Sequence, residues 1–81
     1  MATPKLYLDY KEIGENIRTV RKEKKWSQVN LAHRLGVSPQ LIGFIENGNS
    51  KPSLETLLKL CLVFNIKLDR LVKIHYEGEK T

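Results

Sequence analysis

The sequence predicts an all-α fold, a compact bundle of five short helices in one domain over residues 1–81, with its core between positions 9 and 73. Three observations carry that prediction. Asp9, Ser27, Ser38 and Ser53 each stand just before an apolar-periodic stretch, where a side-chain oxygen can accept from the free amides of a first helical turn. Apolar residues within those stretches recur at spacings of three and four, the period of a helix with one buried face. Gly36, Gly48 and Asn65 follow them, and these are the residue types that close helices in the left-handed conformation.

For the first helix, expected from about position 10 to 24, Asp9 and Glu12 make a capping box and Leu8 with Ile13 a hydrophobic staple. Ile13, Ile17 and Val20 form its inward stripe. Gly14 costs a helix about 1 kcal/mol relative to alanine, so it either marks close helix packing or is merely tolerated. The stretch from Trp26 to Gly48 then holds two short helices joined by a tight turn. Ser27 caps the first of them, Trp26 and Leu31 staple it, and Leu31, Ala32 and Leu35 give it an apolar face ended by Gly36. Val37, Ser38 and Pro39 repeat the pattern, because Ser38 caps, Pro39 suits the first helical position, and Val37 can staple to Ile42. Ile42 and Ile45 point inward, Asn47 and Gly48 close the helix, and Pro39, Gln40, Gly43 and Phe44 are left on the free face.

Asn49, Ser50, Lys51 and Pro52 make a polar loop, after which Ser53 caps a fourth helix over positions 54–64. Its apolar residues, Leu54, Leu57, Leu58, Leu60, Cys61, Leu62, Val63 and Phe64, surround most of the circumference, more than a monomer of this size can bury. Asn65 is expected to take the left-handed cap. A short fifth helix over 68–73 should bury Leu68, Leu71 and Val72, although Lys67 stands where a capping serine is commoner. Residues 1–7 are expected as a loose arm, with a short strand as the alternative because Leu6, Leu8 and Tyr10 alternate with polar residues, and 77–81 as disordered. Ile74, His75 and Tyr76 either pack across a dimer seam or add a short strand against KLYLDY near the other end of the chain.

Composition narrows the function. No apolar run approaches the roughly 20 residues of a membrane span and no signal peptide opens the chain, so a soluble, cytoplasmic protein without membrane contact is expected. The single cysteine excludes an internal disulfide. A net charge of +5 favours a polyanionic partner, and Arg18, Arg21, Lys22, Lys24 and Lys25 crowd the end of the first helix. His33, His75 and Cys61 show no metal-ligand spacing and no nucleophile with a base, so neither an enzyme, a metal nor a cofactor is expected. His33 falls on a polar helix face, and Cys61 suits a small core position.

The residues SQVNLAHRLGVSPQLIGFIENG, with IGENIRTVRKEKK before and KPSLETLLKLCLVFNIKLDRLV after, resemble the helix-turn-helix domain of the phage repressor and Cro (Xre) family. The series Gln28, Ala32, Gly36, Ile42, Glu46, Gly48 and Pro52 stands in register with both flanks, from about Ile13 to Val72. The resemblance implies a lambda repressor-like DNA-binding domain in which helices two and three form the helix-turn-helix, and it favours glycine at position 14. It further implies that the second motif helix enters the major groove with Ser38, Pro39, Gln40 and Gly43 at the bases and Phe44 close behind. Gln40 is the strongest reader, since its amide can pair with adenine N6 and N7. Pro39 offers apolar contact to a thymine methyl, and Gly43 removes bulk. With no arginine or lysine between Val37 and Asn47, selectivity should lean on A·T steps and on DNA deformability. Ser38 and Pro39 would cap the helix in any case, and Phe44 would serve equally as edge packing.

Ser27 and Gln28 match phosphate-contact positions at the start of the first motif helix, and Asn47, Asn49, Ser50 and Lys51 would cradle the backbone after the second. Arg21 and Glu46 match the family's charge pair. As an exposed pair it would contribute only about 0–1 kcal/mol, which makes positioning its use. One helix reads too few base pairs, so a homodimer on a near-palindromic operator in double-stranded DNA is implied, with half-sites about 34 Å apart. Leu58, Leu62, Ile74 and Tyr76 are the candidate seam. No acidic residue lies between Gln28 and Leu35 to form an activating patch, which favours repression or autoregulation, controlled by concentration, a partner or turnover. Restriction-modification controllers are among the small proteins of this family. The rival class is a protein-interaction module with a protein partner, such as the antitoxin of a toxin-antitoxin pair. RNA binding is disfavoured by the lack of an aromatic stacking platform.

Overall fold

A computed structural model describes residues 3–78. Four α-helices make the body: α1 (Tyr10–Glu23), α2 (Gln28–Leu35), α3 (Pro39–Glu46) and α4 (Leu54–Phe64). Strands β1 (Lys5–Tyr7) and β2 (His75–Glu77) form a two-stranded sheet.

Each helix starts where the capping chemistry places it. The side chains of Asp9, Ser27, Ser38 and Ser53 accept from the amides of Glu12, Asn30, Leu41 and Thr56 at 3.0–3.2 Å. The capping box at α1 is only half made. The Glu12 carboxylate turns to His75 Nε2 at 3.0 Å instead of returning to the amide of Asp9. Gly36 and Asn65 both close their helices with positive φ, 77° and 57°.

The expected fifth helix is reduced to one 3-10 turn, Leu68–Arg70. Lys67 supplies no side-chain hydrogen bond at its start, so the first amides go uncapped and a single tight turn is all that forms. Leu71 is nevertheless fully buried, as expected, and its carbonyl accepts from Asn16 Nδ2 at 3.1 Å.

The expected loose arm is also corrected. Lys5, Leu6 and Tyr7 pair antiparallel with Glu77, Tyr76 and His75, the strand alternative for the segment at Ile74–Tyr76. Tyr7 stacks on His75 with ring centroids 5.2 Å apart, and His75 reaches Glu12, so one face of the ribbon is fastened to α1. Glu77 is therefore in a strand, while Met1, Ala2 and residues 79–81 lie outside the described residues.

The core joins Ile13, Ile17 and Val20 of α1 to Leu31 and Ala32 of α2, Ile42 and Ile45 of α3, and Leu57, Leu60, Cys61 and Phe64 of α4. Burying each large aliphatic side chain contributes roughly 1.5–3 kcal/mol. Trp26 stacks on Phe64 at 5.8 Å and closes the core beneath the start of α2. Gly14 is where α3 crosses α1, because a Cβ there would stand 2.7 Å from the Glu46 carbonyl oxygen and closer still to that of Ile45. Only a residue without a side chain permits that approach. The surplus on α4 stays outside: Leu54, Leu58 and Leu62, spaced by four, form an exposed row.

Candidate nucleic-acid interface

The crossing at Gly14 fixes which face of α3 looks outward. Ile42, Ile45 and Glu46 are buried, and Pro39, Gln40 and Phe44 are exposed, Phe44 to 54%. Gln28, Pro39, Gln40, Gly43, Phe44 and Asn47 line one shallow groove of about 420 Å³. Four of these six are expected base readers and the other two expected phosphate contacts, so the fold gathers on one surface residues drawn from two helices. Ser38 stands at the head of α3, its hydroxyl engaged by the Leu41 amide at 3.2 Å. A Cβ on Gly43 would only touch the Gln28 side-chain amide, at 3.8 Å, so the fold itself leaves room for alanine there.

A buried ionic network holds α3 in this pose. Arg21 Nε donates to Glu46 Oε2 at 2.6 Å and its Nη2 to Oε1 at 3.0 Å, a two-pronged arrangement that fixes direction as well as distance. Arg21 Nη1 donates to the Trp26 carbonyl at 2.8 Å, and Gln28 Nε2 donates to Glu46 Oε1 at 3.1 Å. The carboxylate at the end of α3 is thereby tied to α1 and to the start of α2.

This corrects the expectation of an exposed pair, since Arg21 is 8% and Glu46 2% exposed. Arg21 lies seven positions after Gly14, two turns along the face of α1 that α3 covers, and it is therefore turned inward while Lys22, Lys24 and Lys25 stay exposed. Burial pushes the Glu46 carboxyl up. The hydrogen bonds from Arg21 and Gln28 and the charges of Arg21 and Arg18 overcome that and leave it below its ordinary value. The network also answers the cost of burying charge, because each partner is hydrogen-bonded as well as paired.

Two further arginines border the network. Arg18, half-exposed, brings Nε to 3.4 Å from Glu46 Oε1. It sits one turn from both Gly14 and Arg21, and that spacing is the signal that would have found it. Arg34 lies over the Trp26 ring at 4.0 Å while donating to Asn30 Oδ1 at 2.7 Å. Arg34 and Asn30 border a second concavity, about 560 Å³, on the outer side of α2.

Ser27 caps α2 with its hydroxyl, and Gln28 is half-buried at the groove. Asn49 and Lys51 are exposed and Ser50 half-buried in the turn after α3, where Gly48 has φ 79°. Leu58 and Leu62 are exposed on α4, Leu62 to 81%. Ile74 and Tyr76 are exposed elsewhere, beside Pro4 and Leu6 in a groove of about 260 Å³, so the expected seam residues fall into two groups. Cys61 is buried, and that burial pushes its thiol up, away from the reactive thiolate. Among the described residues no helix is long and apolar enough to cross a membrane.

Two short capped helices at a tight turn, the second with a free outer face, define a helix-turn-helix protein. The helix-turn-helix family model matches residues 17–71, and the chain belongs to that family, of the phage repressor and Cro type. It is similar to the ImmF control region 10 kDa protein of Bacillus phage phi105, 39% identical over 64 residues that cover 79% of this chain and 71% of that one. The immunity repressor protein of the same phage is 33% identical over 69 residues, 85% of this chain and 44% of the repressor. Among solved structures, the restriction-modification controller protein C.AhdI from Aeromonas hydrophila superposes with a TM-score of 0.74 at 32% identity, over 78% of this chain and 96% of that one.

Proposed function

We propose that this protein is a sequence-specific regulator of transcription that binds double-stranded DNA, acting as a homodimeric repressor or autoregulator on a near-palindromic operator. The observation that carries the reading is the groove in which Pro39, Gln40, Gly43 and Phe44 of α3 stand beside Gln28 and Asn47. A helix presenting small, amide and apolar groups outward fits the floor of a major groove, where adenine offers a donor and an acceptor and thymine a methyl. Gln40 takes the adenine, Pro39 and Phe44 the methyl or sugar, and Ser38 the edge beside them. Ser27, Gln28, Asn47, Asn49, Ser50 and Lys51 hold the flanking phosphates and set register. The buried Arg21–Glu46 pair holds α3 against α1, and the Gln28 bond to the same carboxylate ties it to the start of α2, so that base and phosphate contacts are made together.

Two copies meet through the row that contains Leu58 and Leu62, an apolar surface left exposed on the single chain. The similarity to the immunity repressor protein of a phage supports repression, and that to a restriction-modification controller protein supports a controller role of the same kind. Selecting bound duplexes from a random pool tests the whole reading. The expected winners are two A·T-rich half-sites about one helical turn apart; a pool that gains no sequence over successive rounds contradicts it.

A second reading has its own observation. Leu6, Ile74 and Tyr76 expose an apolar ribbon face that contact through α4 alone does not need, and an antitoxin-type protein partner would use it. Recovery of a stoichiometric toxin with the protein from its own host, with no sequence preference on DNA, is the result that would favour it.

A further inference from the structure

We propose that Lys11, on the first turn of α1, is a further contact to the DNA backbone, so that the phosphates beside α3 are gripped from two separate segments of the chain. The inference rests on the reading of α3 as the groove helix. Its basis is the packing of α1 against the turn that ends α3. A Cβ on Gly48 would stand 2.9 Å from Lys11 Cα and 3.2 Å from Lys11 Cβ. The root of the Lys11 side chain therefore rises directly from the turn Asn47–Lys51.

From the other side, the Lys51 ammonium lies over the ring of Tyr10, 5.6 Å from its centre. The first turn of α1 and the turn after α3 thus form one surface that carries two cations. Among the described residues neither lysine is ion-paired. The nearby acids on α1 are partly engaged: the Asp9 side chain accepts from the Glu12 amide at 3.1 Å, and Glu12 holds His75 at 3.0 Å. Glu15, one turn along the helix, is exposed to solvent.

An unpaired ammonium on a flexible stem suits a phosphate, which needs a point charge and no fixed fork. Each phosphate neutralised releases counterions and steepens the salt dependence of binding by about 0.9 in the log–log slope. Tyr10 serves as a positioning residue, limiting where the Lys51 ammonium travels.

The test measures affinity against salt concentration for the selected operator duplex and for a scrambled duplex. It compares wild type with Lys11→Gln, Lys51→Gln, Lys11→Arg and, as an equal charge change on α4, Lys59→Gln. Lys11→Gln is expected to lower the slope by about one on both duplexes and to leave their affinity ratio unchanged. Lys11→Arg should keep the wild-type slope, and Lys59→Gln should not change it. A wild-type slope in Lys11→Gln, while Lys51→Gln falls, overturns the inference alone. So does an equal fall in Lys59→Gln, which would make the effect one of net charge. Wild-type protein that binds neither duplex overturns the groove reading and this inference with it.

Discussion

Helices α3 and α4 both begin on a serine whose side chain accepts from the amide three residues on, and both bury one apolar stripe, yet their outer faces have opposite chemistry. α3 shows Pro39, Gln40, Gly43 and Phe44, and it is held from behind by a buried ion pair. α4 shows Leu54, Leu58 and Leu62, and its inner face packs into the core through Leu57, Leu60, Cys61 and Phe64. A hydrated surface of defined donors and acceptors calls for the first kind of face, with its direction fixed by hydrogen bonds. A dry surface of another protein chain calls for the second, where packing has no such need for direction.

The largest effect expected from disturbing this contrast is at Glu46. Glu46→Ala leaves Arg21 buried without its partner and should cost about 3–5 kcal/mol in denaturant unfolding. Replacing both, as Arg21→Met with Glu46→Leu, should recover most of that loss and still weaken DNA binding, because direction is not restored. The pair also sets an acid limit. The Glu46 carboxyl titrates below its ordinary value of 4.5 in the folded chain, so its stabilisation is complete above that value and is lost as pH falls through the lowered one. Glu46→Gln should flatten that limb of an acid unfolding curve.

Gly14→Ala comes next. The added methyl meets the carbonyl oxygens of Ile45 and Glu46, which cannot move aside as a side chain would, and a loss of about 1–3 kcal/mol is expected. A stability equal to wild type would mean that α1 and α3 separate easily, against the rigid mounting of α3 described here.

Gln40→Ala should leave stability alone and remove about 1–3 kcal/mol of discrimination at one base pair, seen as affinity for single-substituted operators. Equal losses on operator and scrambled DNA would strike Gln40 from the readers. The smallest effect on folding belongs to Leu62→Glu, within about 0.5 kcal/mol for the single chain, with a shift to monomer in sedimentation. An unchanged mass would deny α4 its role as the seam.

Much of this was legible in the chain itself, for a local reason. Caps, glycine and asparagine closures, and three-and-four spacing act within a few residues, so α1 to α4, the left-handed Asn65 and the free face of α3 follow from neighbours in sequence. What was misjudged depends on distant partners. The alternation of Leu6, Leu8 and Tyr10 permits a strand but does not require one, and Lys5–Tyr7 takes that form because His75–Glu77 returns beside it. Arg21 is charged, and nothing nearby says that Glu46 and the Trp26 carbonyl will enclose it. The turn at Leu68–Arg70 fell short of a helix for want of a cap, a weakness visible at Lys67. Lys11 drew no notice because its importance comes from Gly48, which only the fold brings against it.

The contrast between α3 and α4 is tested most directly by titrating isotope-labelled protein with the selected duplex and following every backbone amide by NMR. The largest shifts are expected at Gln28, at Ser38, at Gln40 to Phe44 and through the turn at Asn47–Lys51, with Leu54, Leu58 and Leu62 little changed. Large shifts along α4 or the ribbon, with the amides of α3 silent, would contradict it.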